Sequence, residues 1–356
     1  MSDQVLLGVI AVGIGAFVGL ILFVPFVALS YRRRGRLSAG RLVLWTGSLV
    51  YFWAIWTYTL LPLPDPDTIR CAGVNLNLLQ FVDDIREAFT GPGNPLLNSG
   101  ILQLGLNVVL FVPLGFFLRV LVGRGILVAG LVGLGISLVI EFTQLTGVWG
   151  LYPCAYRVFD VDDLLTNTLG ALAGSLIALL VPRRHRGMPQ LDTADDPRPV
   201  TRARRALSML CDLLAITCAE GAVALTTQLG LHVLGFDEIV HDGTAASLTG
   251  SITALAIWFI AVMTTGGTIG DLSVQLRYVG GRLPRPLARL LRFVGGIGGY
   301  ALLGMIPGGS WLAWLFGLAG VVLFFATARG RGLPGVISGQ RLVDARSLRA
   351  EAVHPA

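Results

Sequence analysis

Lysine is absent from this 356-residue chain, and charged residues of any kind make up only 13% of it. A soluble globular domain carries about 25% charge. The shortfall, with 54% hydrophobic residues arranged in long apolar runs, excludes an ordinary soluble domain and points to a polytopic membrane protein. All 27 basic residues are arginine, and they lie beside the apolar runs as topology signals do. The net charge of +6 therefore does not imply a nucleic-acid partner.

Histidine is scarce as well. His185, His232, His241 and His354 show no ligand spacing, so no metal site is expected. A phosphate-cradling motif is also missing. Gly295, Gly296, Gly298 and Gly299 sit in an apolar run and read as helix packing, so no cofactor is expected.

What is present is helical. A span needs about 20 apolar residues. Nine runs qualify: 5–29, 42–61, 101–120, 125–147, 163–181, 206–229, 247–266, 292–307 and 311–328. The last two are short and joined by Gly-Gly-Ser, which predicts tilted or re-entrant segments. The expected fold is an all-α integral membrane bundle of about nine transmembrane helices, five plus four. Residues 183–203, rich in proline and charge, read as a cytoplasmic linker. The expected modules are 1–182 and 204–346, followed by a cytoplasmic tail, 347–356.

The opening "MSDQ" has no basic region, and the positive charge follows the first run as "RRRGR". This predicts an uncleaved anchor with its N-terminus outside. That orientation puts every arginine but Arg70, Arg86 and Arg157 on the cytoplasmic side, with the C-terminus. The expected outer loops are acidic, with Asp65, Asp67, Asp83, Asp84 and Glu87 in the first of them.

Polar side chains inside a bilayer cost several kcal/mol unless they find partners. Asn107 lies about 9 Å into the third run, at 1.5 Å per residue. Glu141 and Gln144, three apart and on one face, lie about 9 and 5 Å from the outer end of the fourth. Asp163 and Asn167 share a face at the start of the fifth. Arg157, Asp160 and Asp162 sit just above. The pattern predicts a polar pocket between the third, fourth and fifth helices. Two blander roles compete with it. The amides can serve as interhelical hydrogen-bond glue, and Asp163 can cap the fifth helix. Gly170 and Gly174, four apart, predict close helix packing, and Pro113 with Gly115 permits a kink.

The stretches "NVVLFVPLGF" (107–116), "IEFTQ" (140–144) and "RVFDVDDLLTNTLGALAG" (157–174) resemble the VanZ-like family over about residues 40–181. The first outer loop departs from that family, reading "NLLQF" with Gln80 where proline is usual. The resemblance implies a bacterial plasma-membrane protein of the cell envelope. The family's founding member is associated with low-level resistance to teicoplanin, a glycopeptide antibiotic.

The second module resembles the RDD family, named for one arginine and two aspartates. "RRALSMLCD" (204–212), "GGTIGDLSVQLRYV" (266–279) and "GLPGVISGQRLVDAR" (332–346) carry the likeness. Pro334–Gly335 stands where that family often has His-Asp. Arg205 and Asp212 fall on one helical face, and Glu220 lies in mid-span. The resemblance implies transport of ions or solutes. "GRLPRPLARLLRF" (281–293) is basic and amphipathic, which predicts a helix on the inner membrane surface.

Four cysteines remain. Cys211 and Cys218 are about 10 Å apart along one helix and cannot pair within it. Cys71 and Cys154 both fall in expected outer loops, where disulfides persist, so a bridge between them is expected.

Three functions are consistent with this pattern. The first is a pocket in the outer leaflet that engages a lipid, a lipid-linked envelope component or an amphiphilic antibiotic. The second is an enzyme on a lipid-linked substrate, with Glu141 or Asp160 as acid or base; it lacks a recognisable nucleophile–base pair. The third is a transporter using Asp212 and Glu220.

Overall fold

In the computed structural model the apolar runs become helices, and the described residues are 3–61, 63–65, 69–91, 94–95 and 98–353. Asp67, His354 and the expected starting point of the chain at Met1 lie outside them, as do the last residues of the tail. The order is α1 (Asp3–Arg34), α2 (Ala39–Leu60), β1 (Val74–Asn75), α3 (Gln80–Thr90), α4 (Ser99–Phe117), α5 (Ile126–Leu145), the single turn α6 (Gly147–Gly150), β2 (Phe159–Asp160) and α7 (Val161–Ile177). There follow α8 (Arg202–Val233), α9 (Asp237–Asp242), α10 (Thr244–Thr265), α11 (Ile269–Ser273), β3 (Leu276–Val279), α12 (Arg285–Val294), α13 (Ile297–Met305), α14 (Ser310–Ala326), α15 (Gly332–Ile337), β4 (Arg341–Asp344) and α16 (Ala345–Val353).

Among the described residues five helices are long and apolar enough to cross a membrane: Ser99–Val122, Ile126–Leu145, Val161–Leu180, Arg202–Val233 and Thr244–Thr265. The protein is thus an all-α, multi-pass membrane protein. Arg285–Val294 and Ile297–Met305, bent by 53°, together make a sixth candidate. The other expected spans differ for visible reasons. α2 has 22 residues, but its Trp, Tyr and Thr side chains dilute its apolar character. α14 is apolar but has only 17 residues.

Two compact units emerge. The first comprises Ser38–Pro189 with the start of α1 up to Gly15; the second comprises Ala16–Leu37 and 190–353. This division differs from the expected 1–182 module at α1, whose second half belongs with the second unit. There Tyr31 lies under the Arg204 guanidinium, 5.4 Å from its carbon. The Arg33 carbonyl accepts Leu191 N–H at 2.9 Å. The expected linker, 183–203, is held at two points along its length. Gly187 N–H donates to Val120 O at 2.9 Å in the first unit, and Arg198 N–H donates to Asp344 Oδ2 at 3.0 Å in the second.

In the first unit α7 packs against α4 and α5 through small residues. A Cβ on Gly115 would strike the Ala171 carbonyl, and one on Gly170 or Gly174 would strike the carbonyls of Val108 or Val112. Each helix thus presents bare backbone to the other, which is how helices approach closely in lipid. α4 runs through Pro113 and ends in a π-helical turn, Leu118–Val122. Ile55, Phe111 and Ile140 form the core at the middle of this unit. β1 and β2 pair in parallel, Val74 with Phe159 and Asn75 with Asp160.

In the second unit α8 and α10 pack around Ile216, Ala254, Trp258 and Val262, joined by Phe293 of α12. β3 and β4 form an antiparallel pair, Leu276 opposite Asp344. The basic helix α12 does not lie wholly on a surface: Ala288, Arg292 and Phe293 are buried.

Candidate functional site

The close packing of α4 and α7 brings their polar residues to the same level. Asn107 Nδ2 on α4 donates to Asp163 Oδ1 on α7 at 2.6 Å. Asn167, one turn further along α7, donates to Ser137 Oγ on α5 at 2.9 Å, and its own Oδ1 is buried with no partner among the described residues. Gln144 Nε2 donates to the Thr59 carbonyl on α2 at 2.7 Å. Glu141 is 3% exposed, and its Oε2 accepts the Asp160 backbone N–H at 3.1 Å.

Asp160 does what Asp163 was a candidate for. It is the N-cap of α7, its Oδ1 accepting Asp162 N–H at 2.9 Å, while its Oδ2 accepts Asn75 Nδ2 at 3.1 Å. Asp163 faces the Asn107 amide instead. Asp162 is structural: its two oxygens accept the N–H groups of Leu79 and Phe81 at 2.8 and 3.0 Å. Leu79 is the left-handed residue before α3, so Asp162 secures the start of that helix. Gln80, which replaces the usual proline, is the first residue of α3, a position where proline is also well tolerated.

These residues surround one cavity of about 1170 Å³, lined by Asn107, Glu141, Gln144, Arg157, Asp160, Asp163 and Asn167 together with residues of α2 and α4. Of the eight side chains named in the sequence for this region, seven are on its wall, and Asp162 is not. Three carboxylates face a single cation. Glu141 Oε1 and Asp163 Oδ2 have no hydrogen-bond partner among the described residues. Arg157, exposed at the rim, spends one N–H on the Leu61 carbonyl at 3.3 Å and makes no other hydrogen bond among the described residues. The wall can therefore take a cationic group deep and an anionic group at the mouth.

The rim is fastened from both sides. Cys71 and Cys154 form a disulfide, Ala72 N–H donates to Ala155 O at 2.8 Å, and Phe159 N–H donates to Gly73 O at 3.2 Å. Tyr152 and Tyr156 hydroxyls donate to the carbonyls of Pro64 and Leu60. Burial pushes the Tyr156 hydroxyl pKa up, so it stays protonated as a donor.

Two polar residues were missed. Gln103, one turn before Asn107, lines the cavity, and Ser137, one turn before Glu141, lies behind the wall as the acceptor for Asn167. Their i, i+4 spacing to the chosen residues was the signal that pointed to them.

The second-half candidates divide. Arg205 pairs with Asp271 at 2.5 Å and with Ser208 at 3.0 Å. Asp212 accepts Trp258 Nε1 at 2.9 Å, Gly270 N–H at 2.8 Å and Thr268 Oγ1 at 2.5 Å. The two lie along a second cavity of about 570 Å³. Glu220 stands apart, accepting the Ser251 hydroxyl of α10. Asp271 was not singled out, although it directly follows the Gly267-Thr268-Ile269-Gly270 turn of the second quoted stretch and completes the capping box with Thr268. Cys211 and Cys218 are free and buried.

Residues 45–182 match the VanZ/LLP1 family model. The matched stretch begins within α2 and contains every residue on the first cavity's wall. No curated protein and no solved structure matches the chain.

Proposed function

We propose that the VanZ-like unit binds the headgroup of an envelope lipid, a lipid-linked wall precursor or an amphiphilic antibiotic of the glycopeptide class. In doing so it would alter tolerance of the bacterial envelope to such compounds. The observation that carries this reading is the charge order of the cavity. Free carboxylate oxygens of Glu141 and Asp163 lie on its wall and the Arg157 guanidinium at its mouth. A zwitterionic group, such as an ammonium beside a phosphate, matches that order. The arginine asymmetry of the sequence supports an outer-leaflet position in the plasma membrane, and the likeness to VanZ/LLP1 supports an envelope role.

An enzyme is the weaker reading. Glu141 and Asp160 are already engaged with each other through the Asp160 N–H, and among the described residues no serine or cysteine is hydrogen-bonded to either. For the second unit, the meeting of Arg205 with Asp271 beside Asp212 favours an RDD-like reading with ion or solute transport.

The test is a set of substitutions in the full chain expressed in a glycopeptide-sensitive bacterium. Glu141→Gln keeps an acceptor for Asp160 N–H and removes the charge. It should abolish tolerance at normal protein levels, as should Arg157→Ala. Unchanged tolerance in both variants would remove the site from the function. Loss of the protein itself in both would make the cavity wall structural only.

A further inference from the structure

The second unit encloses a cavity of about 570 Å³, of which the reading above uses only the Arg205, Asp212 and Asp271 end. Its size falls within the range of small-molecule sites, roughly 300–1,000 Å³. Most of its wall is apolar, including Met209, Leu213, Ile297, Tyr300, Trp314 and Phe324. Its other end is charged, where Arg205, Asp271, Tyr278 and Arg292 meet.

The charges at that end do not all find partners. Asp271 is taken by Arg205 and Ser208, and Asp212 by three donors. Arg292 is 6% exposed, and its guanidinium stacks over the Tyr278 ring at 4.8 Å. It donates no hydrogen bond and makes no ion pair among the described residues, and its Nε is fully buried. Asp271 lies near enough to act on Arg292, but it is already engaged by Arg205 and Ser208, and a second buried cation sharing one engaged anion is costly. A second feature adds to it. α13 opens on Gly296 with no capping side chain, and Gly295 and Gly296 line the cavity beside Arg292. Uncapped N–H groups at a helix start favour an anion.

An anion alone would satisfy the arginine and leave the apolar wall bare. Trp314 and Leu318 on that wall are also exposed on the flank of α14, so the cavity opens sideways between the helices. We infer that this cavity binds a phosphate-bearing lipid, its phosphate on Arg292 and the start of α13 and one acyl chain along Trp314 and Phe324. The site is separate from the first cavity and belongs to the second unit by itself. Its level is set by α12, whose Arg289 caps the end of α10 by donating to the Met263 and Thr264 carbonyls.

The experiment is native mass spectrometry of the full chain released from detergent, titrated with phosphatidylglycerol, with phosphatidylcholine of identical chains, and with inorganic phosphate. Phosphatidylglycerol should be retained at one per chain. Arg292→Gln should weaken retention at least about tenfold, as loss of one partner of a buried charge pair does. Gly320→Leu, on the cavity wall where an added Cβ meets nothing within 4 Å, should fill the chain site and abolish retention in a folded protein. Phosphatidylcholine should be retained less than phosphatidylglycerol, and phosphate alone should give no adduct. Retention of phosphatidylglycerol unchanged by Gly320→Leu would overturn the proposal, as would its absence from the unmodified protein. Equal retention of inorganic phosphate would reduce the site to a simple anion site and overturn the lipid assignment.

Discussion

Gly174 of α7 lies directly against the Val112 carbonyl of α4, with no room for a Cβ between them. Gly115 and Gly170 repeat this arrangement on either side, against Ala171 and Val108. This contact sets the level at which Asn107 meets Asp163, so helix packing and site geometry are one feature.

Gly174→Ala is expected to destabilise the protein by about 1–3 kcal/mol, since the obstacle is backbone and cannot rotate away. The alanine's better helix propensity returns at most about 1 kcal/mol. Gly135→Ala on α5, where an added Cβ meets nothing within 4 Å, should be neutral or stabilising. Thermal unfolding of the two variants in the same detergent checks the contrast. Equal melting temperatures would mean that the α4–α7 backbones are not in close contact.

The Cys71–Cys154 bridge spans 83 residues of sequence and closes over the rim that carries Arg157. Loop closure of that length stabilises by about 4 kcal/mol in the chain-entropy account. Cys154→Ser should therefore lower the melting temperature and expose the 69–91 stretch to protease, while Cys211→Ser should leave the protease pattern alone. A peptide map under non-reducing conditions should recover Cys71 and Cys154 in one linked fragment. Two alkylated peptides in their place would show that the rim is not tied.

Thr90→Cys and Gln190→Cys report on opposite sides of the membrane if the arginine asymmetry sets orientation. Both positions are exposed. An impermeant thiol reagent applied to intact cells, in a background lacking Cys211 and Cys218, should label residue 90 and spare residue 190. Labelling of both would place the first cavity and the chain after α7 on the same side, against an outer-leaflet site.

Much of this architecture is legible in the sequence because lipid imposes strict rules on it. Apolar length marks the helices, and polar residues within them must converge, so Asn107, Glu141, Gln144, Asp163 and Asn167 can be brought to one pocket by depth alone. Gln103 escapes that argument because glutamine near a span end costs little, and Ser137 because a mid-helix hydroxyl can bond a carbonyl of its own helix and so demands no partner elsewhere. The second half of α1 cannot be assigned from its own residues. Its place with the second unit depends on Tyr31 meeting Arg204, far apart in the chain. Arg292 reads as one more basic residue of an amphipathic surface helix. Only the 53° bend between α12 and α13 and the ring of Tyr278 show that it is enclosed.

Arg204, Asp344 and Arg346 form a knot that no spacing rule reveals, since α8 and β4 are separated by most of the second unit. Asp344 Oδ2 accepts Arg204 Nη1 and Arg346 Nη2, both at 2.8 Å, and Asp344 is 4% exposed. Burial alone would raise the carboxyl pKa, but hydrogen bonds from Arg346 and Arg204 win and hold it well below the usual carboxylate range. In the unfolded chain the same group takes up a proton near pH 4. The unfolded state therefore binds more protons than the folded one below that point, and stability falls with acidification. The contribution of Asp344 is complete at neutral pH, declines from about pH 4 downward and vanishes once the folded group also protonates. Asp344→Asn should cost about 3–5 kcal/mol at neutral pH, because it leaves two buried guanidinium groups without their anion. The gap in melting temperature between the variant and the unmodified protein should then narrow as the pH is lowered from about 7 to about 3. A gap that stays constant over that range would mean that Asp344 carries no charge in the folded protein, and the arginines would then be held by the carbonyls of Val274, Gln275 and Ala194 instead.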